Sequence, residues 1–68
     1  MPIVHIHLIK GRTVDQKRAL AEGVTSVLID TIGVAKDTVE VFLHEVEVDN
    51  VAKGGVLFVD LRKQVPKT

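Results

Sequence analysis

Met1-Pro2-Ile3-Val4-His5-Ile6-His7-Leu8-Ile9 decides the fold. Five aliphatic residues and two histidines run from residue 3 to residue 9 without a charge. Val4, Ile6 and Leu8 point one way; Ile3, His5, His7 and Ile9 point the other. Both faces are therefore expected to be covered, one by a helix and the other by a neighbouring subunit or a central cavity. Such near-continuous hydrophobicity suits a buried parallel strand. The strand starts at the second residue, so loss of Met1 would make Pro2 the N-terminus, held in place by the sheet. Processing aminopeptidases act when the second residue is small, as proline is. A free N-terminal proline is a secondary amine on a rigid ring, able to act as base or nucleophile. With Met1 attached, its nitrogen is a tertiary amide without a proton.

Outward from this strand, Lys10-Gly11-Arg12 makes a turn and Thr13 reads as a helix N-cap. Gln16, three residues on, completes a capping box, and Asp15 suits the positive end of the helix dipole. Leu20, Val24, Val27 and Leu28 follow helical spacing. Ala21, Ile29 and Ile32 widen that apolar face beyond the need of a free-standing helix. Gly23 costs about 1 kcal/mol against alanine inside a helix, which close packing on another backbone would explain. Gly33 is the expected stop, giving a helix over 13–32.

A short link, 33–37, leads to a second strand over 38–46, where Val39, Val41 and Leu43 alternate with Glu40, Phe42 and His44. Strand, helix and strand joined by short loops predict a βαβ unit with parallel strands. The stretch 45–53 is polar and turn-like, with Asp49-Asn50 as its corner. Gly54-Gly55 is a second turn signal. Residues 56–59 read as a short third strand, available to a neighbour's sheet, and 61–68 as a loose tail. The fold class is α/β (α+β): one domain over 1–68, a small β-α-β subunit assembling into an oligomer.

Size and composition point to the same assembly. A chain of 68 residues buries only about 60% of its unfolded surface. With no cysteine it has neither disulfides nor thiolate metal sites to compensate. Its residues are 46% hydrophobic, with Phe42 and Phe58 the only aromatics, more aliphatic surface than one helix and a few strands can hide. A homo-oligomer follows. Nine basic residues balance nine acidic ones, which argues against a nucleic-acid or anionic-membrane partner. No apolar run approaches the roughly 20 residues of a membrane span. No signal-peptide pattern is present, so the expected location is the cytoplasm.

Three groups can carry chemistry. Pro2 is a candidate base: desolvating an amine favours its neutral form. The plain alternative is a proline that merely opens a strand. Arg12 lies just before a helix N-terminus, where anions are attracted, and arginine binds carboxylates bidentately; the alternative is a solvated loop arginine. His5 and His7 share a strand face and in principle offer two metal ligands. Only His44 could be a third, so interface histidines are the preferred reading and no metal is assigned. No Ser-His-Asp triad, phosphate loop or paired-carboxylate site is seen.

These features together resemble the 4-oxalocrotonate tautomerase family. The matching residues are Met1-Pro2-Ile3 opening a strand and Gly11-Arg12-Thr13-x-x-Gln16-Lys17 opening the helix. The stop at Gly33, the second strand and Gly54-Gly55 before the last strand also match. The resemblance covers about 2–60, nearly the whole chain. It implies β-α-β subunits paired into a four-stranded sheet, with dimers assembling into a hexamer. It implies an N-terminal proline base, Pro2, that moves a proton from an enol oxygen to a carbon, giving an α,β-unsaturated ketone. Arg12 would hold a substrate carboxylate in a site shared between subunits, with Ile9 also at the substrate. No cofactor is implied. The partners are a small carboxylate substrate and copies of the same chain, in a setting of aromatic-hydrocarbon catabolism.

Two positions depart from the family pattern. The best-studied members carry a second arginine early in the second strand, which binds the other carboxylate and the keto oxygen; Glu40 stands there. They carry a large aromatic before the paired glycines; Val51 stands there. Both changes weaken the case for a dicarboxylate substrate, and Lys53 or Arg62 are the candidate replacement cations. A second enzymatic reading is hydration of unsaturated acids, including hydrolytic dehalogenation, with Glu40 or Glu45 activating water beside the proline. A third is a non-catalytic assembly protein on the same fold.

Overall fold

The computed structural model describes residues 1–64. Strand β1 (Ile3–Ile9) leads through a turn into helix α1 (Val14–Ile32). A 3₁₀ turn over Lys36–Thr38 precedes β2 (Glu40–Val46), and a second over Val48–Asn50 precedes a hairpin of β3 (Ala52–Lys53) and β4 (Val56–Leu57). Helix α2 (Phe58–Gln64) follows at once. β1 and β2 pair in parallel, Ile3 opposite Glu40 through Ile9 opposite Val46. This is the β-α-β unit expected.

Helix α1 begins where its caps dictate. The Thr13 hydroxyl accepts from the Gln16 amide at 3.1 Å, and the Gln16 side chain accepts from the Thr13 amide at 2.9 Å. Two donors that the first turn would leave orphaned are thereby satisfied. The helix ends at Gly33, whose φ of 71° is left-handed and whose amide bonds to the Ile29 carbonyl at 3.0 Å. The 3₁₀ turn shortens the second strand expected over 38–46 by two residues. Gly23 has no packing reason among the described residues, because a Cβ there would meet nothing within 4 Å.

One face of the sheet meets α1. Val4, Ile6, Leu8, Val41 and Leu43 are half-buried on that side. Glu45 shares their parity, and a carboxylate among aliphatics needs a partner. Lys17 on α1 supplies it at 3.0 Å, with both side chains about two-thirds to three-quarters shielded. At the strand ends the Lys10 amide bonds to the Val46 carbonyl at 2.9 Å. There the exposed Lys10 ammonium bonds to Glu47, which holds that lysine above its usual range; such solvated pairs contribute little stability.

The end of the chain differs from the expectation. The short strand expected over 56–59 is limited to Val56–Leu57 and pairs antiparallel with Ala52–Lys53 of its own chain. Gly54 and Gly55, both at positive φ, form the two-residue turn, as the twist of tight hairpins requires. The loose tail expected from residue 61 is helical as far as Gln64; 65–68 lie outside the described residues. The Phe58 amide bonds to the Val51 carbonyl at 2.8 Å, closing the base of the hairpin. β3, β4 and α2 pack on one another and on the preceding 3₁₀ turn, forming an arm.

This arrangement leaves the described residues of an isolated chain without an interior. No described residue is fully buried. The radius of gyration is 15.5 Å, against about 11 Å for a compact domain of this length. The chain exposes 5356 Å², whereas a compact monomer of its mass would expose about 4,200 Å². Among the described residues no helix is long and apolar enough to cross a membrane.

Candidate active site

The candidate residues fall at two ends of the parallel sheet. Pro2 and Glu40 lie at the end where β1 and β2 begin. The Glu40 amide donates to the Pro2 carbonyl at 3.1 Å, so the proline is tied into the ladder although it precedes the strand. Pro2 is half-buried, while Met1 ahead of it is 80% exposed. Glu40 is half-buried, lies on the sheet face of Ile3, and joins none of the ion pairs among the described residues.

Ile9 and Arg12 lie at the other end. The Arg12 guanidinium reaches back to donate from Nη1 to the Ile9 carbonyl at 3.2 Å. That bond holds the guanidinium beside the end of β1, and its other donors have no partner among the described residues. At about 3.3 Å per residue, the strand separates Pro2 from Ile9 by about 23 Å. A small carboxylate cannot span that distance, so Pro2 and Arg12 of one chain cannot serve one substrate together.

Val51 lies at the root of the arm, half-buried, with its carbonyl taken by Phe58. Both candidate replacement cations, Lys53 on β3 and Arg62 on α2, are exposed on that arm. Glu45 is held by Lys17 on the helix side of the sheet, which removes it as a carboxylate beside the proline. Glu40 is the carboxylate next to Pro2 in the ladder.

The histidine pair has a fuller setting than its spacing suggests. The parallel register sets His5 opposite Phe42 and His7 opposite His44. His5 stacks on Phe42 and on His44 with ring centroids 4.9 and 5.0 Å apart, and His7 stacks on His44 at 4.6 Å. His5 Nδ1 and His44 Nε2 approach to 2.8 Å. Among the described residues no group of three potential ligands is arranged to hold a metal ion. Sequence reading missed this stack and the Lys17–Glu45 pair. The parity of Glu45 with Val41 and Leu43 was the available signal for the pair; for the stack it was the register of β1 against β2.

The whole β-α-β unit has known counterparts. Residues 2–61 match the family model for the tautomerase enzyme. "Probable tautomerase K2" of Dickeya dadantii is 43% identical over 65 residues, covering 94% of this chain and 97% of that protein. One of the 4-oxalocrotonate tautomerase isozymes of Methylibium petroleiphilum superposes with a TM-score of 0.89 at 28% identity, over 94% of this chain and all of that one. The heterohexameric 4-oxalocrotonate tautomerase of Chloroflexus aurantiacus superposes at 0.84 with 26% identity, over 91% of this chain and 100% of that chain. With sequence and fold in agreement over nearly its full length, the chain belongs to the 4-oxalocrotonate tautomerase family and is an isomerase.

Proposed function

We propose that this chain is a cofactor-free tautomerase of a small 2-hydroxy or 2-oxo unsaturated carboxylate, with Pro2 as the base after removal of Met1. The setting of Pro2 carries the reading. Its carbonyl is fixed by Glu40 at 3.1 Å while Met1 projects into solvent. Cleavage of the Met1–Pro2 bond would expose a secondary amine on a ring already anchored to a sheet, with little conformational freedom left to lose. The neutral amine takes the enol O–H proton and, as the ammonium, returns a proton to carbon. The C=C bond shifts, C=O forms, and the amine is regenerated.

Arg12 from another copy binds the substrate carboxylate in this scheme. The distance between Pro2 and Arg12 within one chain supports a shared site, and the missing interior supports self-association. The heterohexameric relative makes a hexamer the assembly proposed. With Glu40 beside the proline and Val51 in place of an aromatic, a monocarboxylate is the preferred substrate. Hydration of an unsaturated acid is the second reading. It is favoured by one observation: Glu40, unlike Glu45, has no ion-pair partner among the described residues.

The test joins intact mass with an enol-to-ketone absorbance assay over mono- and dicarboxylates. A protein lacking Met1 that ketonises enol carboxylates is expected. A Met1-retaining protein of equal activity would remove Pro2 as the base, and retention without activity would favour an assembly role.

A further inference from the structure

Opposite α1, the β1–β2 sheet presents a bare face. Ile3 is 54% and Phe42 44% exposed there; His5 lies beside Phe42, and His7 and His44 carry the face on toward Ile9 and Val46. Side chains of this kind seldom stay in water as one contiguous patch. Over the whole chain the surface beyond that of a compact monomer, about 1,100 Å², exceeds the roughly 800 Å² per partner of a standard interface, so assembly has ample surface to cover. Among the described residues the face is charge-free except for Glu40 at its Ile3 end, which suits a second copy of itself better than a charged partner.

The rings on this face are arranged so that proton count matters. His5 Nδ1 and His44 Nε2, 2.8 Å apart, form a hydrogen bond only while one nitrogen keeps its lone pair. A second proton sets two N–H groups against each other. His7 lies almost parallel to His44, 17° between planes, so charge on both rings is repulsive at stacking distance. Little nearby could offset it. From β2, Glu40 is the sole acidic side chain on this face. Lys17 of α1 and Glu45 of β2 neutralise one another on the far side of the sheet, Lys10 and Glu47 do so at the strand ends, and Arg12 in the turn adds positive charge.

We infer that this His5–His7–Phe42–His44 face is a contact between copies of the chain that closes with the imidazoles neutral and opens when they are protonated. The inference rests on the self-association proposed above. Imidazole is the side chain whose charge changes between about pH 5 and 8. Covering a charged ring costs more than covering a neutral one, so the separated state binds more protons. By linkage, acid favours separation.

Sedimentation from pH 8.0 to 5.0, with NMR of the histidine ring carbons in the same samples, tests this. The assembly is expected to be intact at pH 8.0. Its dissociation constant should rise at least tenfold per pH unit through the range in which His5, His7 and His44 gain protons. His5→Gln and, separately, His44→Gln should lower that slope by threefold or more. His7→Gln serves if either fails to assemble at pH 8.0. Histidines that titrate in an intact assembly would overturn the inference, as would dissociation with the rings still neutral or an unchanged slope in the variants. A folded monomer at pH 8.0 would overturn the self-association reading itself, while activity of the mature chain would still report on Pro2.

Discussion

The amide of Glu40 and the carbonyl of Pro2 share a 3.1 Å hydrogen bond, so a carboxylate-bearing residue is the nearest ladder partner of the proposed base. A negative charge near an amine favours its protonated form. It also repels a second carboxylate on a substrate. Glu40→Arg reverses both effects. The expected outcome is a higher kcat/KM for dicarboxylates and a lower kinetic pKa for the base, read from pH–rate profiles. Unchanged values would separate Glu40 from the site.

Replacing Pro2 with alanine leaves an amine after Met1 removal, but a primary and less constrained one. Turnover should fall at least tenfold with the assembly preserved, as read by steady-state kinetics and sedimentation. A variant that retains Met1 should lose proline-dependent activity altogether, since the nitrogen stays an amide.

Arg12→Ala removes the guanidinium that reaches over Ile9. A charge-assisted bidentate pair contributes about 1.5–3 kcal/mol, so KM should rise and turnover fall by a combined factor of roughly 10–100. Unaltered kinetics would make Arg12 a solvated turn residue.

Because no described side chain is fully buried, folding and association should be one event. A hexamer is expected at micromolar concentration, with a melting temperature that rises with protein concentration. Sedimentation that finds a compact, folded monomer would contradict this.

Thr13→Ala deletes one half of the capping box. A loss of about 1 kcal/mol is expected, read as a lower denaturation midpoint at fixed protein concentration. An unchanged midpoint would mean that the Gln16 side chain holds the helix start alone.

Local chemistry made most of the fold legible. Thr13 with Gln16 announces the helix start, Gly33 its end, and the uncharged, near-continuous apolar run from Ile3 to Ile9 the strand. The arm was less legible because Val56-Leu57-Phe58-Val59 is a short apolar run, and periodicity cannot separate strand from helix at that length. Its course is marked by the bond from Phe58 to Val51, a contact that no local pattern announces. For the candidate site, residue types and neighbours could be read, but not their separation. Pro2 and Arg12 look close in sequence, and an extended strand drives them apart.

That separation has a genetic consequence. If each site draws its proline from one chain and its arginine from another, a Pro2→Ala chain and an Arg12→Ala chain are defective in different halves of the same sites. Co-expressed, they should assemble some sites with both residues intact and raise activity above that of either alone. Two recessive lesions in one short gene would then complement each other.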